Sequence, residues 1–158
     1  TATKTIACDA PLPMADLERL FNAFAEDQDN ELLLIGRRHI RSNNSWMHNF
    51  HPLIKGRDRC TLMMHPEDMA KHKISDGLRV SLSSRVGAVE ATVEQTDELM
   101  PGVVSLPHGF GHHRSGVQME KASQRPGVSC NDVTDHQLLD ELSGNAAVNG
   151  VPVTVTPL

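Results

Sequence analysis

Between Leu78 and Glu94 the chain alternates twice. Val80 and Leu82 interleave with Ser81 and Ser83, then Val89, Ala91 and Val93 interleave with Glu90, Thr92 and Glu94, and Gly87 lies between the two runs. Side chains that change face at every residue belong to strands with one wet side, and a glycine between two such runs marks a hairpin. Four more short apolar runs stand around this pair: Leu32–Ile35, Cys60–Met64, Val103–Leu106 and Val151–Val155. Turn signals punctuate them at Gly36, Asp76-Gly77 and Pro101-Gly102. Six short strands and few helices predict a mainly β domain, a closed or nearly closed barrel with small helices inserted. Aromatics are 3% of the 158 residues and tyrosine is absent, so the core must come from Leu, Ile, Val, Met and Ala. That length suits one domain.

Helical spacing is confined to a few places. Met14, Leu17, Leu20, Phe21 and Phe24 recur on one face, with Pro13 at a first-turn position. Residues 1–12 read as a tether, and the helix is expected to fade over Glu26–Glu31. Its apolar stripe is expected to pack on a body, either this domain or a part of a longer chain. Residues 1–30 are thus a linker with an amphipathic helix, and 31–158 the folded domain. Pro66-Glu67-Asp68 opens a short second helix, its acids at the positive end of the helix dipole. Residues 115–131 read as loop, and Asp132–Leu142 as one or two helical turns.

No apolar run reaches membrane-spanning length, so no membrane partner is expected. The chain opens on Thr1 without a leader pattern and reads as a piece of something longer. Cys8, Cys60 and Cys130 are odd in number and far apart, with no C-x-x-C pair. That argues for free thiols in a reducing, cytoplasmic setting and against a disulfide framework or a zinc knuckle.

The chemistry concentrates after the first strand. Leu32–Ile35 stops at Gly36 and empties into Arg37, Arg38, His39 and Arg41, then Ser42, Asn43, Asn44, Ser45, Trp46, His48 and Asn49. Glycine permits close approach of a ligand to the backbone. Arginines offer forked donors to phosphate or carboxylate, and the single tryptophan offers a stacking face. From Arg37 to Arg59 six cationic side chains face one acid, Asp58, a balance of +5 in a chain of net charge −5. A basic island in an acidic protein suits a local anion and not nucleic acid, whose binders are basic over a wide surface. A second polar, glycine-rich outlet follows the Val103–Leu106 strand: Pro107-His108-Gly109-Phe110-Gly111-His112-His113.

Nine histidines are many for this length. His48-x-x-His51 and His108-x3-His112-His113 have spacings open to metal ligation, but no acid or thiolate accompanies them at helical spacing. Hydrogen bonding at a ligand pocket suits His48 and His108 better. No G-x-S-x-G elbow, Walker loop or Rossmann fingerprint is present. Residue pattern alone leads to a β domain with two anion-friendly loops and no reaction.

Six stretches in order carry a resemblance: L-L-L-I-G-R (Leu32–Arg37), M-M-H-P-E-D-M-A (Met63–Ala70), I-S-D-G-L-R-V-S-L-S-S-R-V-G (Ile74–Gly87), P-G-V-V-S-L-P-H-G-F-G-H (Pro101–His112), V-S-C-N-D-V-T-D (Val128–Asp135) and L-S-G-N-A-A-V-N-G-V-P-V-T-V (Leu142–Val155). Over roughly Glu31–Leu158 the chain resembles the C-terminal dinucleotide-binding domain of the molybdopterin oxidoreductases, the dimethyl sulfoxide reductase superfamily. The resemblance implies a six-stranded double-psi β barrel. It also implies a bis(molybdopterin guanine dinucleotide) cofactor of molybdenum or tungsten, covered by this domain, with the metal ligand and any iron–sulfur cluster in upstream domains of the same enzyme. Carried over, the cofactor-binding positions are Ile35, Gly36, Arg37, Arg38, Asn43, Asn44, Ser45, Trp46, His48, His108, Gly109, Asn131 and Asn149. No catalytic residue or metal ligand is implied within the chain. Two other readings stay open: a stand-alone module for an anionic nucleotide or sugar phosphate, and an assembly protein that docks through the Met14–Phe24 stripe.

Overall fold

The structure is a computed structural model that describes residues 4–6, 10–25 and 32–158. Cys8, half of the expected tether, the expected helix fade at 26–31 and the side chain of Phe24 lie outside that description. Among the described residues six strands run β1 (Leu32–Arg37), β2 (Thr61–Met64), β3 (Arg79–Ser83), β4 (Ala88–Gln95), β5 (Val103–Pro107) and β6 (Val151–Pro157). They close in the order β1-β5-β2-β4-β3-β6. Two parallel pairs, β1/β5 and β2/β4, are set among antiparallel ones. This is the double-psi β barrel that the sequence leads one to expect.

The alternation does what the pattern dictates. Val80, Leu82, Val89, Ala91 and Val93 are buried and meet Leu34, Leu62, Met64, Val104, Leu106 and Val155 inside the barrel. β5 is buried on four consecutive residues, Val104 to Pro107, and on its outer side the Arg37 guanidinium reaches Ser105 O. Closure removes the unpaired strand edges that an open sheet would leave.

Among the described residues four α-helices accompany the barrel: α1 (Pro11–Ala25), α2 (His51–Ile54), α3 (Pro66–His72) and α4 (Glu120–Ser123). In α3 the His65 Nδ1 accepts the Glu67 N–H at 3.2 Å, Pro66 takes the first turn, and Lys73 closes the helix in a left-handed conformation. The buried Asp68 accepts the Gly102 N–H at 2.8 Å and fixes α3 to the start of β5. α1 starts at Pro11, which leaves Pro13 in the first turn as expected. Its apolar residues Leu12, Met14, Leu20 and Phe21 stay exposed, Phe21 by 68%, so the stripe does not pack on this barrel. Asp132–Leu142 corrects the sequence reading. A 3-10 turn at Cys130–Asp132 is followed by turns and a Leu139–Ala146 bridge, not by α-helix. Asp135 explains the difference, because its carboxylate is drawn to Arg85 at 2.5 Å and accepts the Gln137 N–H at 2.8 Å. An aspartate bonding its own downstream backbone makes a turn and competes with helix.

Candidate functional site

Strand direction decides where the site lies. β1 and β5 are parallel, with Gly36 beside Leu106 and Arg37 beside Pro107, so both polar outlets emerge side by side at one end of the barrel. The ladder extends one step further through His108 N–H to the Arg37 carbonyl at 3.0 Å. β6 is antiparallel to β1, with Leu34 facing Val151, so the residues just before β6 arrive at the same end. There Asn149 Oδ1 accepts the Gly36 N–H at 2.8 Å. Three segments distant in sequence therefore meet for one topological reason.

The two outlets are locked together. Asn43 and Asn44 both hold positive φ, 42° and 62°, which asparagine tolerates better than most residues. Their turn brings the Asn44 carbonyl onto Gly109, whose own φ is +94°. A Cβ on Gly109 would stand 2.3 Å from Asn44 O, so glycine is required there for both space and conformation. Asn49 Oδ1 accepts the N–H groups of Lys121 and Ala122 at 2.8 and 3.2 Å and caps α4. His48 Nδ1 meets His112 Nε2 at 2.7 Å, both rings are buried, and Phe110 lies 4.3 Å from the His48 ring centre. Burial, then the neighbouring His112, push His48 down to about 4, against a smaller opposing pull from the Gly109 carbonyl. Burial lowers His112 as well. Both imidazoles are neutral at physiological pH.

A pocket of about 260 Å³ opens at the strand ends, lined by Gly36, Arg38, His108, Cys130, Asn131, Thr134, Val148 and Asn149. A shallower hollow of about 650 Å³ adjoins it through Arg38 and runs along His39, Ile40, Asn43, Asn44, Met47 and Leu53. Of the thirteen expected positions, Gly36, Arg38, His108, Asn131 and Asn149 converge on the first pocket, and Asn43 and Asn44 line the second. Arg38 pairs with Asn44 and joins the two. Trp46 lies 80% exposed on the same loop. Ile35 is half-buried in β1, and Ser45 is half-buried with its carbonyl accepting the His48 N–H.

Arg37 and His48 lie differently from the sequence picture. The Arg37 guanidinium is half-buried and donates to protein oxygens: Ser105 O at 2.5 Å, Thr61 O at 2.7 Å, Thr61 Oγ1 at 2.9 Å and Arg59 O at 3.2 Å. It clamps β1 to β2 and β5 instead of facing an open pocket. Burial lowers its pKa, partly offset by Glu94. His48 turns toward Phe110 and His112 and lines neither pocket at the strand ends. Cys130, in sequence no more than a small free thiol, is a pocket residue. Its Sγ lies 3.7 Å from His108 Nδ1, and burial raises its pKa. Only the meeting of β5 with the 130–134 turn brings it there.

Residues 32–152 match the molydopterin dinucleotide binding domain family. The chain belongs to that family. It is 28% identical, over 58% of its length, to a component of the tetrathionate reductase of Salmonella typhimurium strain LT2, and 34% identical, over 50%, to the biotin sulfoxide reductase of Cereibacter sphaeroides. The matched part spans only 11% and 10% of those two proteins. Among solved structures, the acetylene hydratase from Pelobacter acetylenicus superposes with a TM-score of 0.67 at 16% identity, over 92% of this chain and 20% of that one. At that identity the likeness is one of fold. As a molydopterin dinucleotide binding domain, the chain presents a donor set that suits such a ligand. The pocket walls carry the Arg38 guanidinium and the amides of Asn131 and Asn149, with the Gly36 N–H already donated to Asn149. No helix among the described residues is long and apolar enough to cross a membrane.

Proposed function

We propose that this chain is the cofactor-covering part of a molybdenum or tungsten oxidoreductase that carries bis(molybdopterin guanine dinucleotide), other domains of a longer chain supplying the metal ligand and any iron–sulfur cluster. The observation that carries this reading is the convergence of Gly36, Arg38, His108, Asn131 and Asn149, from four distant segments, on one pocket beside a basic loop. In this reading Arg38 neutralises a phosphate of the dinucleotide. Its pairing with Asn44 uses one guanidinium nitrogen and leaves other N–H groups to donate. Asn131, Thr134 and Asn149 read heterocycle edges, and Asn149 is held in place by the Gly36 N–H. Asn43 and Asn44 line the continuing hollow, with Ser45 next to them in the loop, and Trp46 gives a flat face where the loop meets the rest of the enzyme. His108 and Cys130 form the wall nearest the barrel.

When bound, the cofactor supplies two-electron redox or oxygen-atom-transfer chemistry, and the protein supplies position and electrostatics. Gly36, Gly109 and the locked loops fix the shape of the pocket, so little reorganisation is left for binding. The free thiols of Cys60 and Cys130 accord with a reducing, cytoplasmic setting.

The test is metal and pterin content of the full-length protein. Arg38→Ala and Asn131→Ala should each weaken cofactor retention by about tenfold, the worth of one charge-assisted or well-placed hydrogen bond. Cofactor content and release rate equal to wild type in both variants would overturn the assignment of this pocket.

A further inference from the structure

A thiol sits among the polar groups of the pocket at the strand ends. Cys130 Sγ lies 3.7 Å from His108 Nδ1, at the exit of β5, and 3.9 Å from Asn131 Oδ1, in the 3-10 turn. Both side chains line the same pocket. The framework around the thiol is fixed. Cys130 belongs to the core cluster together with Val133, and its carbonyl accepts the Thr134 hydroxyl at 3.0 Å. Ser129 Oγ accepts the Asn131 N–H at 3.3 Å, and the His108 N–H is tied to the Arg37 carbonyl. The three side chains are thus held against one another by backbone that the barrel sets.

The count of hydrogens gives each contact its direction. Burial raises the pKa of Cys130, so at neutral pH the sulfur keeps its one hydrogen. Asn131 Oδ1 can only accept, so its contact takes the thiol hydrogen. His108 Nδ1 must then bring its own hydrogen, which a sulfur lone pair accepts. A bare Nδ1 would face that lone pair with no hydrogen between them. In its neutral form an imidazole carries one ring hydrogen, so Nε2 is left as an acceptor. Among the described residues Nε2 has no hydrogen-bond partner. With Oδ1 occupied by the thiol, the Asn131 amide is left with the two N–H groups of Nδ2 to donate.

We propose that Cys130 is a positioning residue that takes a hydrogen bond from His108 and gives one to Asn131, so that the pocket meets its ligand with an acceptor at His108 Nε2 and a donor at Asn131 Nδ2. The matching ligand edge carries an N–H beside a carbonyl oxygen or bare ring nitrogen, the pattern of a cyclic amide such as guanine and pterin both contain. A phosphate or carboxylate offers acceptors alone and leaves Nε2 facing a lone pair. The heterocycle end of a dinucleotide therefore goes to the Cys130 wall, and its phosphates to Arg38. The identity of the ligand rests on the cofactor reading, whereas the hydrogen positions do not.

Two measurements on the full-length protein test it. Nitrogen NMR of protein labelled in its histidine rings, with His108 assigned by its loss in His108→Phe, should show the hydrogen on Nδ1 and Nε2 bare. In Cys130→Ala it should move to Nε2, the form a free imidazole prefers. In Cys130→Ser, whose hydroxyl both gives and takes a hydrogen bond, it should stay on Nδ1. The rate of cofactor release should rise about tenfold in Cys130→Ala, the worth of one well-placed hydrogen bond, and return toward wild type in Cys130→Ser. A packing role for Cys130 would move stability but no hydrogen. Nε2–H in the wild type, as when the Asn131 amide is turned over and the chain runs backwards, would overturn the proposal. So would Cys130→Ser behaving as Cys130→Ala in both measurements. A wild-type protein without pterin would overturn the cofactor reading instead, and the NMR result would still decide the hydrogen positions.

Discussion

Gly109→Ala tests the joint on which the site depends. In the folded chain a Cβ at this position would stand 2.3 Å from Asn44 O, 2.7 Å from Asn44 C and 3.1 Å from Ser45 N. All three are backbone atoms, so no side-chain rotation relieves the contact. Restoring ordinary contact at about 3.4 Å requires the two loops to part by about 1.1 Å, the difference between 3.4 and 2.3 Å. That separation stretches the 2.7 Å His48–His112 bond and the Asn49 cap on α4. Left-handed strain at φ +94° adds about 1–2 kcal/mol, and each weakened hydrogen bond about 1 kcal/mol. The expected destabilisation is about 2–4 kcal/mol. Gly102→Ala is the matched control: its φ is +84°, and nothing lies within 4 Å of the added methyl. It carries the strain alone, about 1 kcal/mol after the gain from a stiffer unfolded chain. Urea unfolding at unchanged m-value gives both numbers. If the two variants lose the same stability within about 0.5 kcal/mol, the close approach of the loops is not what requires glycine at 109, and the locked-loop argument is refuted.

Arg37→Ala should cost about 3 kcal/mol in urea unfolding, because it leaves buried carbonyls of Ser105 and Thr61 without their donor. Near-normal stability with lost cofactor would show instead that Arg37 serves the ligand and not the barrel. Low pH should destabilise the fold through His48. Its folded pKa, about 4, lies below the ordinary 6.5, so the unfolded chain takes up the proton first. The stability from keeping it neutral is complete above pH 6.5 and is lost as pH falls toward 4. At pH 5 the loss is about 2 kcal/mol, with His112 adding in the same direction. Comparing urea midpoints at pH 7.5 and pH 5 checks this, and a His48→Phe variant that keeps the full pH dependence would remove His48 as its source.

Much of the barrel is legible in the chain because period-two burial is a local property. The runs at Leu78–Ser83 and Ala88–Glu94 disclose their strands without knowledge of any partner, and the Pro66 start with its acids discloses α3. The helices α2 and α4 are not legible. Each is four residues long, too short for a periodic face, and α4 exists because Asn49, some seventy positions earlier, caps it. Local propensity favours helix over Asp132–Leu142, while a long-range pair to Arg85 draws Asp135 into a turn and wins.

The candidate site divides along the same line. Residue types after the first and fifth strands mark Gly36, Arg38, Asn43, Asn44 and His108, while Asn131 and Asn149 come only from the family resemblance. Which of the marked residues face a ligand is a matter of tertiary structure alone. Arg37 and Arg38 are neighbours with the same side chain, yet β1 lays one along the outer face of the barrel against the carbonyls of β2 and β5 and leaves the other at the pocket. A one-residue step in a strand reverses the side-chain direction, and only the neighbouring β5 and β2 decide which carbonyls Arg37 meets. Composition marks His48 for a ligand, but the approach of Gly109 to Asn44 folds it beneath the loop, against Phe110 and His112. Local alternation sets the strands because each residue's burial depends on its immediate neighbours. The site needs parallel β1 and β5, antiparallel β6 and a glycine-to-carbonyl contact across 65 positions, and those exist only once the barrel has closed.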